Sequence, residues 1–131
     1  MKVYLDTNFI VSLIVKTEFS EKARKISETV LKDAELFVGM NTVEETTYVL
    51  MKILKKKLHE AVKILNDFLE EMEVIILEFI PFETYIEICE KYSLLPNDAL
   101  IAATCKYYGI SRIATFDEDF EKVDFLEVVK V

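Results

Sequence analysis

Residues 3–11, VYLDTNFIV, decide how this chain is to be read. Val3, Tyr4 and Leu5 form a short apolar run with the character of a strand buried on both faces, and it meets an acid at Asp6. Asp6 or Asn8 then caps a helix through the apolar stretch FIVSLIV, residues 9–15. A buried strand thus hands over to a buried helix through a carboxylate, and the rest of the chain repeats that arrangement.

Working outward, strand-like runs recur at residues 36–40, 73–77 and 113–115, with residues 126–129 a fifth candidate. Helical periodicity fills the gaps. Residues 20–32 place Ala23, Ile26, Val30 and Leu31 on one face. A long helix capped by Asn41 or Thr42 follows, with Val43, Leu50, Ile53, Leu54 and Leu58 along its apolar side. Residues 59–72 carry Val62, Leu65, Phe68 and Leu69, and residues 82–92 form a further helix. Asn97 then caps DALIAATCKYYG, which is apolar nearly all round and is ended by Gly109. Alternating strands and helices predict a parallel sheet covered on both faces, and in such sheets ligands gather at the carboxyl ends of the strands.

Composition narrows the chemistry. The 131 residues suit one domain, residues 1–131, and 52% hydrophobic with 31% charged residues is a globular balance. Gly39 and Gly109 are the only two glycines, so neither a GxGxxG nor a phosphate-binding P-loop can be built. His59 is the single histidine, which excludes HExxH zinc sites. Catalysis here must run mainly on carboxylates. Cys89 and Cys105, lacking CxxC spacing, are expected to be two reduced, buried thiols. No signal peptide is recognisable, and residues 9–15 fall short of the about 20 needed to span a bilayer, so no membrane partner and a cytoplasmic location are expected. Glutamine is absent while lysine and glutamate are abundant, which fits a thermophilic source. The net charge of −8 argues against a broad basic nucleic-acid footprint.

Most of the 24 acids, among them Glu18, Glu21, Glu28, Glu60, Glu70, Glu71, Glu87 and Glu90, read as solvated helix faces. Asp6, Asp98 and Asp117 differ, because each sits where a strand or loop hands over to an apolar helix. Singly, each is an ordinary cap worth about 1 kcal/mol. Together they would converge on one edge of the sheet, and two carboxylates about 4 Å apart repel by roughly 4 kcal/mol at an effective dielectric near 20. Such a cluster needs a bound cation or raised pKa values, and oxygen-only donors suit Mg²⁺ or Mn²⁺.

VYLDTNFIV, VEETTYVL, PNDALIAATCKYYG and IATFDEDF, in this order and spacing, resemble the PIN domain over nearly the whole chain. The resemblance implies a three-layer α/β/α fold with a central, mainly parallel sheet of four to five strands. It also implies a four-acid site for divalent metal, and ribonuclease activity of the VapC toxin type with an antitoxin partner. Asp6, Asp98 and Asp117 match the first, third and fourth acids and would be the metal ligands, with Asp119 an additional acid. Glu44 and Glu45 compete for the second position. Val43, Tyr48 and Leu50 fit the family pattern around Glu45, whereas a helical wheel favours Glu44; Glu45 is preferred.

On this reading Asp6 is the central ligand and Glu45 ligates or orients the attacking water. Thr115, Thr7 and Asn8 position a carboxylate or phosphate, although turn and cap bonding explains Thr7 and Asn8 equally well. The expected cofactor is Mg²⁺ or Mn²⁺ and the expected substrate is RNA. Lys52, Lys55, Lys56, Lys57 and Arg112 are candidate phosphate contacts, though such lysines more often form a solvated face. A homodimer is also implied, with Phe68, Phe79, Phe82 and Tyr85 able to supply its apolar surface. The competing reading is a PIN-like module that binds RNA or protein without cleaving. A phospho-acceptor domain would need paired acids after the first strand, and a haloacid-dehalogenase-like phosphatase an acid where Asn8 stands.

Overall fold

The computed structural model describes residues 1–130. Its elements in chain order are β1 (Lys2–Leu5), α1 (Thr7–Ile14), α2 (Ser20–Glu28), β2 (Glu35–Gly39), α3 (Met40–Leu54) and α4 (Leu58–Glu71). β3 (Ile75–Leu77), α5 (Phe82–Lys91), α6 (Pro96–Tyr108), β4 (Arg112–Ala114), a 3₁₀ turn (Glu118–Lys122) and β5 (Glu127–Val128) complete it. All five strands are parallel, in the order β3-β2-β1-β4-β5. β1 therefore lies at the centre, pairing Tyr4 with Phe37 on one side and with Ile113 on the other.

Alternation along β1 creates the two cores. Val3 and Leu5 pack with Phe9, Ile10, Leu50 and Leu65 beneath α1–α4. Tyr4 faces the opposite way, into the cluster of Ile88, Ile101, Ala102 and Phe120 beneath α5 and α6. α1 is built from β-branched and aromatic residues of modest helix propensity. Burial of Phe9, Ile10 and Val11, together with the Asp6 cap, holds it as a helix. No helix among the described residues is long and apolar enough to cross a membrane.

Several expected boundaries shift for identifiable reasons. α6 starts at Pro96, so Leu95 occupies the cap position and Asn97 lies inside the first turn. Proline favours the first helical position because its missing N–H would be unsatisfied there anyway. Gly39, not Asn41 or Thr42, precedes α3, and Met40 belongs to that helix. α3 stops at Leu54, where Lys55 turns left-handed (φ 53°), so Leu58 falls in α4 and is exposed, and Ile53, turned about 100° from Leu54 around the helix, is exposed too. α2 ends at Glu28, with residues 29–33 forming turns. β3 is shorter than the expected 73–77 run, because Glu73 (φ 55°) and Val74, whose N–H donates to the Leu69 carbonyl, terminate α4. Cys105 is buried as expected, but Cys89 is exposed. α5 lies in an outer layer and fully buries only Ile88, so the next side chain, about 100° around the helix, faces outward.

One buried polar knot fastens the sheet to α3. The Tyr4 hydroxyl accepts from the Gly39 N–H at 2.8 Å and lies 2.6 Å from Thr42 Oγ1. A Cβ on Gly39 would approach Asn41 Oδ1 to 2.8 Å and this hydroxyl to 3.0 Å, so any larger residue at the β2–α3 junction would have to push aside the Asn41 side chain and the Tyr4 hydroxyl. Tyr4→Phe strands both partners in the interior and is expected to cost about 1–3 kcal/mol, measured as a lower urea midpoint with an unchanged m-value.

Candidate active site

The parallel topology brings four chain segments to one end of the sheet. Asp6 follows β1, Thr115 and Asp117 follow β4, Glu45 lies in the early part of α3, and Asp98 lies in the first turn of α6. β1 and β4 are neighbours whose following helices cover opposite faces of the sheet, and such a switch point opens a crevice at the strand carboxyl ends. A cavity of about 900 Å³ occupies it, lined by Asp6, Glu18, Glu45, Asp98 and Asp117, with Thr7 and Asn8 on its floor and Val11, Phe19, Tyr48 and Leu95 on its walls.

Asp6 is the most constrained of these acids, only 5% exposed. Its Oδ1 accepts from the Thr7 N–H at 2.8 Å and its Oδ2 from the Thr115 hydroxyl at 2.7 Å. The same Thr115 oxygen accepts from the Asp117 N–H at 3.0 Å, so one hydroxyl ties two of the acids together. Asn8 adds a second tie, its Oδ1 accepting from the Phe116 N–H at 3.1 Å. Thr7 is held from behind by the Thr46 hydroxyl, at 3.1 Å. Asp117 caps the 3₁₀ turn, accepting from the Asp119 N–H at 2.9 Å. Asp119 in turn pairs with Lys122 at 3.4 Å on the surface.

Glu45 lines the cavity, and its Oε2 accepts from Asn97 Nδ2 at 3.2 Å. Asn97 Oδ1 accepts from Asn41 Nδ2 at 2.9 Å, so a relay from α3 through α6 and back fixes the Glu45 carboxylate. Glu44 is exposed and does not line the cavity. Asn97 and Asn41 therefore belong to the site although the sequence suggested only caps; Pro96 immediately before Asn97 was the signal that Asn97 is not one. Glu18 also stands apart from the expected solvated helix face: it precedes α2 and contributes another carboxylate to the cavity wall.

The electrostatics follow from this crowding. Burial pushes the Asp6 carboxyl up to about 6, against the lowering effect of its bonds to Thr115 and Thr7, and Glu45 and Asp117 add repulsion. Asp98 is likewise raised to about 6, first by burial and then by Asp117, Asp6, Asp119 and Glu45. No lysine or arginine among the described residues lines the cavity. Carboxylate oxygens of Asp98, Asp117 and Asp119 all lie within 4.8 Å of one another. Asp6 lines the same cavity, each of its oxygens accepting one hydrogen bond, from Thr7 and from Thr115. An all-oxygen, strongly negative pocket without a protein cation fits a hard divalent ion.

Raised folded pKa values fix a pH dependence. A carboxyl that binds its proton more tightly when folded contributes stability that is fully present below the unfolded value of 3.8 and is lost as pH rises through about 6. In EDTA the urea midpoint is therefore expected to be higher at pH 5 than at pH 7.5. For buried Asp6 the difference is about 1.4 kcal/mol, and Asp6→Asn should flatten it. Saturating Mg²⁺ should oppose the trend by favouring the ionised acids, and an unchanged midpoint between the two pH values in EDTA would contradict the crowding argument.

The PIN domain family model matches residues 3–126. Ribonuclease VapC2 of Methanocaldococcus jannaschii is 30% identical over 143 aligned residues, which cover 99% of this chain and 94% of that protein. VapC20 of Mycobacterium tuberculosis, a sarcin–ricin loop cleaving toxin, superposes with a TM-score of 0.77 at 19% identity, covering 98% of this chain and 99% of that one. VapBC2 from Rickettsia felis, solved bound to a DNA fragment from its promoter, superposes with a TM-score of 0.74 at 20% identity, covering 98% of both chains. These superpositions match the five-stranded parallel sheet flanked by helix layers. With the family model spanning both β1 and the segment that carries Asp117 and Asp119, the chain belongs to the PIN domain family.

Proposed function

We propose that the chain is an endoribonuclease that requires Mg²⁺ or Mn²⁺, the toxin of a toxin–antitoxin pair, acting as a single domain through Asp6, Glu45, Asp98 and Asp117. The observation that carries this reading is the meeting of these carboxylates in one cavity, two of them raised to about 6, with no protein cation among the described lining residues. Repulsion of this kind burdens the fold and is expected where a cation is to be bound. The kinship with a ribonuclease of the VapC type supplies the substrate class.

Asp6, Asp98 and Asp117 would hold the ion, with Asp119, whose carboxylate lies within 4.8 Å of those of Asp98 and Asp117, as an additional acid. When bound, the ion would neutralise charge on the phosphate and acidify a water. The chain's own residues supply orientation. Thr115 and the Thr7 N–H take one lone pair from each Asp6 oxygen, leaving the remaining lone pairs as acceptors with a fixed direction. Glu45, steadied by Asn97, accepts the proton of the attacking water. Asn8 holds the β4–3₁₀ connection against α1, which keeps Asp117 in place. The partners in this reading are RNA, an antitoxin protein like those of VapB–VapC pairs, and a second copy of the chain. Phe79 and Phe82, both well exposed, are candidate contacts for that copy, whereas Phe68 is packed against the core.

Incubation of the purified protein with a structured RNA pool tests the reading. Cleavage should require Mg²⁺ or Mn²⁺, stop in EDTA, and fall below detection in Asp6→Asn and Asp98→Asn. Asn97→Ala, which frees Glu45 without removing a carboxylate, should lower kcat by about 10-fold or more while metal affinity changes less. Metal binding by calorimetry without cleavage of any RNA would instead favour a module that binds without cutting.

A further inference from the structure

We propose that α3 carries a track for an unpaired RNA strand leading away from the acids, with Tyr48 as a stacking platform for a base and Lys52 as the contact for a neighbouring phosphate. This rests on the nuclease reading above and deepens it by assigning a substrate subsite. Glu45, Tyr48 and Lys52 are spaced i, i+3, i+7, which places them on one stripe of the helix. At 1.5 Å rise per residue, Tyr48 lies about 4.5 Å and Lys52 about 10.5 Å along the axis from Glu45. Acid, ring and cation therefore follow one another outward from the cavity in steps commensurate with neighbouring nucleotides.

Three observations point to a ligand for this stripe. Tyr48 is 61% exposed, although it sits in the middle of a helix that buries Thr46, Thr47 and Leu50 on its other side. Tyr48 lines the same cavity as Asp6 and Asp98. Lys52 forms no ion pair among the described residues, in a chain with 24 acids against 16 Lys and Arg, and instead places Nζ 5.4 Å from the Tyr48 ring centroid. An exposed cation–π contact is weak, so a strand entering the cavity can take the ring with a base and the ammonium with a phosphate oxygen. Because the cavity lining itself has no lysine or arginine, Lys52 is the cation that a polyanion leaving the acids along α3 reaches. Phe19 also lines the cavity but is already stacked on Phe116 with centroids 4.5 Å apart, whereas Tyr48 pairs with no other aromatic ring among the described residues.

The sequence has no tryptophan, so Tyr48→Trp installs a single indole reporter. Titrating that variant in Ca²⁺ with a mixed-sequence, unpaired RNA oligomer should quench its emission saturably. Tyr48→Ala should weaken oligomer binding about 5- to 100-fold and raise KM more than it lowers kcat, while Tyr48→Phe retains affinity. Lys52→Ala should reduce the slope of log affinity against log salt by about 0.7, whereas Tyr48→Ala leaves that slope unchanged. Equal RNA affinity in the parent, Tyr48→Ala and Lys52→Ala proteins would overturn the track while leaving metal-dependent cleavage by the acids intact. Saturable quenching with no cleavage under any metal would uphold the track and defeat the nuclease reading instead.

Discussion

The structure turns on the Asp6 carboxylate, buried at the end of the central strand with one oxygen held by Thr7 and the other by Thr115. That single group closes α1 at its N-terminus, joins β1 to β4 across the switch point, and through Thr115 fixes the backbone that presents Asp117. A carboxylate in this position is costly because burial favours its protonated form. The fold offsets the cost with hydrogen bonds to the charged form and with the N-terminal ends of α1 and α6, whose partial positive charge faces the acids. The remaining imbalance is what makes the crevice attractive to a divalent ion.

Placement of the other acids follows from sheet topology. In a parallel sheet each helix begins where a strand ends or close beside it, so residues at helix starts collect on one edge. Glu45 and Asp98 come from different layers, α3 and α6, and meet because Asn97 and Asn41 bridge those helices. The side-chain amides are as much a part of the site as the carboxylates, since they hold Glu45 in one orientation while carrying no charge into an already negative pocket.

Much of this was legible in the sequence. The VYLDTNFIV run contains both the strand and the capped helix, and its alternation of Val3 and Leu5 against Tyr4 already encodes two opposed cores. Asp98 and Asp117 stood out because, although each alone reads as a helix cap, the strand–helix alternation sends them with Asp6 to one edge of the sheet. What remained hidden depends on contacts distant in sequence. The Asn97–Glu45 bond joins residues 52 positions apart, and no periodicity encodes it. Cys89 illustrates a second limit: an apolar neighbourhood in sequence does not reveal which layer a helix joins, and α5 lies outside. The β3 boundary was missed because the backbone of Glu73 and Val74 is committed to closing α4, a choice set by hydrogen bonding rather than by the apolar pattern.

The hydrogen bond between Thr115 and Asp6 spans 109 residues. A growing chain that has not yet delivered residues 112–115 lacks β4, so its central strand has no partner on that side and its first acid has no hydroxyl to orient it. Contacts of such long range form late, after shorter loops have closed. During synthesis the acids thus stay scattered until the segment from Arg112 to Asp117 has emerged, and only then can β4 and the Thr115 hydroxyl draw the pocket together.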